Sequence, residues 1–231
     1  MPTDRHSTWF VLLVALFATC LIVSNIIAVK LVLVAGLLLP AGVIVFPLSY
    51  ILSDVLTEVY GYSLARKVIW LGFLCNLLAV AVITVVGLLP AAPFWEGQEA
   101  FERILGASPR LLISSFAAYL VGAFTNAYVL ARLKVATEGR FLWLRTIGST
   151  LVGQGLDSAV FVTLAFIGIL PPSAIGPAML TQWLTKSAYE ALATPLTYAA
   201  VGFLKRVEGR DAFDREVRFN PFALDGPRSP P

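Results

Sequence analysis

Five ionisable side chains fall inside stretches of chain that are otherwise apolar enough for lipid: Asp54, Glu58, Asp157, Lys186 and Glu190. A charge near a bilayer centre costs roughly 2.5–3.5 kcal/mol on insertion scales, so such groups persist where they meet a partner, a watery cavity or a ligand. Asp54 and Glu58 are four residues apart and project from one face of a helix. Gln154 and Asp157 are three apart and share another face, with Phe161 one turn further on. Asn25 stands late in a first apolar run. A few carboxylates, an ammonium and some amides among aromatics suit a small, flat, polar ligand. A carboxylate accepts two parallel N–H donors, and Phe46, Tyr50 and Phe161 could stack on a ring. These residue types alone do not choose between a heterocycle, an amine, an amino acid and a proton.

Each group also has a plainer reading. Lys186 and Glu190, four apart, can pair along their own helix and simply lower the cost of insertion. Glu58 is close to Arg66 and can be an interfacial salt-bridge partner. Asn76, Asn126 and Gln154 can serve interhelical hydrogen bonds. Asp157, mid-span, and Asp54, a turn deeper than Glu58, resist such readings best.

The elements that must position these groups are long apolar helices. Hydrophobic residues make up 58% of the chain and charged ones only 13%, with a mean hydropathy of +0.82. A soluble domain carries about 25% charged residues, so the chain reads as an integral membrane protein. Runs near the 20 or so residues needed to span fall at about 9–29, 43–60, 68–89, 111–133, 146–170 and 180–203. The fold class expected is therefore all-α, with six transmembrane helices. Between the first two spans, Gly36, Pro40 and Gly42 break the helix, and the segment reads as a short hairpin around Ala35-Gly36 or a re-entrant coil. Backbone of that kind survives at membrane depth only where protein shields it or it lines a cavity.

Thirteen of the 17 basic residues fall on one side of this arrangement, including Arg66, Lys67, Arg132, Lys134, Arg140, Arg145, Lys205 and Arg206. The positive-inside rule then places both termini in the cytoplasm. Residues 1–8 read as a short cytoplasmic N terminus rather than a signal peptide. Residues 9–207 read as the transport domain, and 208–231, rich in Arg, Asp, Pro and Gly, as a solvated cytoplasmic tail. Trp9, Trp70, Trp95, Trp143 and Trp183 stand near the expected span ends, as in an aromatic belt.

Several functions are disfavoured. His6 is the only histidine, which leaves no His-ligated haem, HExxH site or Ser/His dyad within the membrane. No phosphate-binding Gly-x4-Gly-Lys-Ser/Thr loop occurs. Cys20 and Cys75 lie in apolar runs without CxxC spacing and read as packing residues. No cofactor or metal is expected, and the net charge of +3 reflects cytoplasmic anchors rather than nucleic-acid binding.

One ordered set of residues resembles a known family. Asn25 and Lys30, then Phe46-Pro47, Asp54-x-x-x-Glu58-Val-Tyr-Gly61 and Ala65-Arg66, followed by Gly148-Ser149-Thr150, Gln154-x-x-Asp157-x-x-x-Phe161, Lys186 and Pro195, are similar to the queuosine precursor transporter family, formerly grouped as vitamin uptake transporters. The resemblance runs from about residue 10 to 205. It implies import, across the bacterial inner membrane, of 7-deazaguanine precursors of a modified tRNA base: 7-cyano-7-deazaguanine, its 7-aminomethyl relative or queuine. Asp157, then Asp54, would accept N1–H and the 2-amino group. Gln154 or Asn25 would serve the ring carbonyl, and Lys186 would hold a carboxylate ionised or donate to the carbonyl. Glu58 would meet an aminomethyl cation, while Phe46, Tyr50 and Phe161 would stack. The expected partners are a small deazapurine and the lipid bilayer, with no nucleic acid.

Two other classes stay in view. A substrate-capture subunit of an energy-coupling-factor vitamin importer would need a partner ATPase. The first span lacks the Ala-x-x-x-Ala face through which such subunits commonly dock, so a solitary carrier is expected. An intramembrane aspartyl enzyme would use Asp54 and Asp157, but no Gly-x-Gly-Asp or Tyr-Asp pair accompanies them. Small residues at Gly148, Gly153 and Gly155 could support a homodimer.

Overall fold

The structure is a computed structural model and describes residues 7–34, 37–106, 109–215, 217 and 219–223. Apolar stretches that could not satisfy their backbone in lipid any other way become helices. These are α1 (Thr8–Ile27), α2 (Phe46–Tyr60), α3 (Tyr62–Leu88), α4 (Gln98–Leu105), α5 (Pro109–Ala136), α6 (Leu142–Phe166) and α7 (Pro172–Glu208). Local signals mark their limits. Ser7 caps α1 by accepting from the Phe10 amide at 3.1 Å. Gly61, at φ 86°, makes the sharp turn from α2 into α3, in the left-handed region that a side chain would strain. Pro172 opens α7 and Gly209 closes it, an asymmetry that follows from proline's missing N–H and glycine's free φ.

Among the described residues, four helical stretches are long and apolar enough to cross a membrane: α1, α3, α4 with α5, and α6. Their outward faces carry exposed Val11, Leu12 and Leu16 on α1, and Leu74, Leu78 and Val82 on α3, as a lipid-facing surface requires. The six expected spans correspond to α1, α2, α3, α5, α6 and α7, and the multi-pass helical architecture holds. Two of the six differ in kind. α2 has 15 residues, about 22 Å at 1.5 Å per residue, which is short of a bilayer's hydrocarbon core of about 30 Å. Twelve of those residues are buried, because α2 packs against α1, α3, α5 and α7 at once. A helix surrounded by protein need not be uniformly apolar, and this one carries both Asp54 and Glu58.

The length α2 lacks is supplied by folded backbone. Strand β1 (Leu31–Val34) pairs antiparallel with β2 (Leu37–Pro40), Leu31 opposite Pro40 and Val34 opposite Leu37. A 3-10 turn (Ala41–Ile44) then leads into α2. The break between the first two spans is thus a hairpin; its expected turn at Ala35-Gly36 lies outside the described residues.

α7 runs 37 residues through Pro177 and Pro195. It begins eight residues before the expected sixth span, so Trp183 lies inside the helix, where its indole N–H donates to the Leu151 carbonyl at 2.9 Å. α4, in the loop after α3, is an added short helix tied by the Arg103–Glu99 pair one turn apart.

α5 and α6 form the tightest helix pair. A Cβ on Gly122 would lie 2.7 Å from the Asp157 Cβ and 3.1 Å from the Gly153 carbonyl oxygen. Only glycine lets the backbones approach this closely, and the approach brings Asn126, Gln154 and Asp157 into the protein interior.

After α7 the chain turns back over the bundle. Asp214 accepts from the Tyr62 amide at 2.9 Å, Arg66 donates to the Asn220 carbonyl at 2.7 Å, and Trp70 donates to the Pro221 carbonyl at 2.8 Å. Composition reads this segment as solvated, yet its described residues are hydrogen-bonded along α3. Phe213 and Phe219 add ring contacts to Lys134, Arg132, Tyr62 and Tyr128.

Candidate functional site

The bundle has two unlike ends. At the end nearest the described N terminus, Glu58 is fully buried and meets three cations from three helices. Arg145 of α6 grips it with a fork, Nη2 to Oε1 at 2.7 Å and Nε to Oε2 at 3.2 Å. Lys205 of α7 donates to Oε1 at 2.7 Å, and Lys134 of α5 lies 3.5 Å from the same oxygen. Lys134 also donates to the Glu58 carbonyl at 2.5 Å, to the Ala212 carbonyl at 2.6 Å and to Asp211. Asp211, half-exposed, also meets Lys205 at 2.8 Å. Burial alone would raise the Asp211 carboxyl, but hydrogen bonds from Lys134 and Lys205 hold it below the usual aspartate range. This cluster ties α2, α5, α6, α7 and the returning tail together.

Glu58 therefore does not pair with Arg66, as its sequence neighbourhood suggests, and it does not reach the cavity described next. Arg66 turns toward the tail instead. Arg145, Lys134 and Lys205 are functional neighbours that sequence reasoning counted only as orientation signals. Their position immediately beyond the expected span ends, within two residues of each, is the signal that could have singled them out.

At the opposite end lies a cavity of about 620 Å³ between the C-terminal part of α1, the start of α2 and the facing halves of α5, α6 and α7. Its polar lining includes Asn25, Asp157, Lys186 and Gln182, and its rings include Phe46 and Phe161. Rim residues Pro177 and Thr181 are exposed, so the cavity reaches the surface. Lys186 bonds to Asp157, with both side chains largely buried. The Lys186 ammonium also sits 4.7 Å from the centre of the Phe46 ring, which adds a cation–π attraction. Phe46 in turn leans on Tyr50, ring centres 5.5 Å apart.

Five of the nine candidate residues thus line one cavity: Asn25, Phe46, Asp157, Phe161 and Lys186. Asp54, Tyr50 and Gln154 lie behind it, fully buried or nearly so. Asn126 donates to Asp54 Oδ1 at 2.6 Å, while Asp54 Oδ2, the Tyr50 hydroxyl and both amide atoms of Gln154 have no hydrogen-bond partner. Lys186 reaches across to α6 rather than along its own helix to Glu190, because Asp157 faces it directly over the α6–α7 contact. Ser24, Ser115, Gln182 and Thr185 also line the cavity. Gln182, one turn before Lys186 on the same face, was recoverable from spacing alone.

Several helices long enough to span and a surface-connected cavity holding a buried ion pair are the parts a multi-pass membrane transporter needs. Residues 40–200 match the family described as "Putative vitamin uptake transporter", a stretch that holds every cavity residue except those on α1, and the chain belongs to that family. A relative from Bacillus subtilis (strain 168), "Probable queuosine precursor transporter", is 34% identical over 80% of both chains. "Queuosine precursor transporter" of Escherichia coli (strain K12) is 29% identical over 71% of both. A "Probable queuosine precursor transporter" of Haemophilus influenzae is 28% identical over 62% of this chain and 56% of that one. No solved structure matches.

Proposed function

We propose that the cavity binds a 7-deazaguanine precursor of queuosine and that the chain carries it inward across the cytoplasmic membrane as a solitary carrier. The observation that supports this most is the Asp157–Lys186 pair facing a cavity with a ring on either side. A deazaguanine edge offers two adjacent N–H donors, from N1 and the 2-amino group, and one carboxylate accepts both. Lys186 pairs with Asp157 at rest; when the ligand edge displaces it, the ammonium turns to the ring carbonyl together with Asn25. Phe46 and Phe161 then cover the ring faces. A volume of about 620 Å³ falls in the usual range of about 300–1,000 Å³ for small-molecule sites.

Direction follows from charge. With the basic flanks, and so both termini, in the cytoplasm, the cavity faces outward and the Glu58 cluster closes the inner side. Asp54 and Gln154 become ligand groups only on the inward step, when the deeper layer opens.

The test is uptake of labelled 7-cyano-7-deazaguanine into vesicles reconstituted with the purified chain, competed with deazaguanines, guanine and a thiamine-type vitamin. Deazaguanines should compete and the vitamin should not. Asp157→Asn should abolish uptake while the protein still elutes as a folded species. Normal uptake by that variant, or no deazapurine uptake by the wild type, would sink the proposal.

A further inference from the structure

Behind the cavity lies a set of buried polar groups that do not line it. Glu190 stands on α7, one turn beyond Lys186, and is 1% exposed; neither carboxyl oxygen has a hydrogen-bond partner. The hydroxyls of Tyr50, Ser158 and Ser187 and the amide of Gln154 are likewise buried and unpartnered. A carboxylate left in this state among buried helices is costly, and most of that cost is removed when the group carries a proton.

Nearby cations are already engaged. The elements packed closely on α7 are α6 and α2. From α6 come Asp157, which is held by Lys186, and Arg145, which is held by Glu58. From α2 come Tyr50, Asp54 and Glu58. On α7 itself, Lys186 is bonded to Asp157, and Lys205 joins Glu58 at the other end. Among the described residues no basic group is left for Glu190.

Tyr50 connects this site to the cavity. Its ring leans on Phe46, which lines the cavity, and its hydroxyl is buried and unpartnered. A Cβ placed on Gly122 would be 2.6 Å from that hydroxyl and 2.7 Å from the Asp157 Cβ, so Tyr50 and Asp157 border the same glycine.

Resting on the transport reading above, we infer that Glu190 is a proton-binding coupling site, so that an inward proton gradient drives uptake. A proton from outside water enters through the cavity and forms an O–H bond at a Glu190 carboxyl oxygen. It crosses with the substrate as the carboxylic acid, and the same bond breaks to water on the inner side; no electrons are exchanged.

The test has two arms. In vesicles with an imposed pH gradient and sodium replaced by choline, one proton per substrate makes a gradient of about one pH unit worth about tenfold accumulation. Glu190→Gln should lose that response, whereas Glu190→Asp, which keeps a titrating group, should retain a response. Equal uptake with and without the gradient, dependence on sodium instead, or a wild-type response in Glu190→Gln overturns the inference while leaving deazapurine transport standing. The second arm needs no substrate. Infrared titration of the wild type in lipid should show a protonated carboxyl C=O band that moves in Glu190→Asp. A spectrum in which no titrating band responds to Glu190→Asp overturns the inference even if the transport reading has failed.

Discussion

Replacing Glu58 with glutamine probes the sealed end of the bundle. Glu58 is fully buried, and three cations converge on it. Lys134 would keep two backbone carbonyls and Asp211, and Lys205 would keep Asp211. Arg145 would lose its carboxylate fork and retain the Arg140 carbonyl and Thr137. Removing one partner of a buried pair costs about 3–5 kcal/mol, because the other charge stays buried without compensation. Glutamine still offers one acceptor oxygen, so the lower end applies: about 3 kcal/mol, or about 6–12 °C in melting midpoint for a chain of this length. The assay is thermal unfolding of purified protein in detergent, read by loss of the monodisperse peak. Adding Arg145→Met should restore part of the loss, since the stranded guanidinium is then gone. A single variant melting within about 1 °C of the wild type would mean the cluster behaves like an exposed pair, and the reasoning would fail. Deazapurine affinity of the surviving folded fraction should be unchanged, because Glu58 does not line the cavity.

Two further expectations come from packing and from the tail. Gly122→Ala puts a methyl within 2.7 Å of both the Tyr50 hydroxyl and the Asp157 Cβ; it should cost about 1–3 kcal/mol of stability and weaken ligand binding in a titration, whereas Gly148→Ala, with its nearest neighbour at an ordinary 3.4 Å, should do neither. Tail docking should depend on pH in two opposed steps, followed by trypsin cleavage at Arg210 and Arg215. Burial raises the Asp214 carboxyl, so its protonation on mild acidification favours the docked state. Asp211 is held below the usual aspartate range, so its contribution is present above the unfolded value and is lost as pH falls through the lower folded value. Cleavage should slow slightly and then accelerate, and Asp211→Asn should remove the acceleration; a monotonic profile unaffected by that variant would contradict the assignment.

The spans were legible because lipid leaves the backbone few choices, and long apolar runs announce that choice directly. The break after the first span was legible from Gly36, Pro40 and Gly42, which disfavour a continuing helix, but those residues left a hairpin and a re-entrant coil equally open. Less legible was what each span faces. α2 and α7 both read as ordinary crossings, yet one is short and enclosed while the other overruns the bilayer. Of the candidate site, Asp157, Lys186, Asn25, Phe46 and Phe161 converge on one cavity, as their types suggest. Partner choice was not readable: spacing favours Lys186 with Glu190 and Glu58 with Arg66, but contacts between helices distant in sequence decide otherwise. The tail's docking was hidden because its polar composition conceals Phe213 and Phe219, whose anchoring depends on where α3 and α5 happen to lie.

The Glu58 cluster has a consequence for leakiness. Lys134, Arg145 and Lys205 outnumber Glu58 and Asp211 by one positive charge, so the layer beneath the cavity is an electropositive stopper. A bare cation meets repulsion there in a medium that screens little, while an uncharged heterocycle does not. On the proposed transport reading, this layer would separate the water-accessible cavity from the opposite side by charge as well as by packing, and loosening one of its salt bridges should show first as ion leak across reconstituted vesicles.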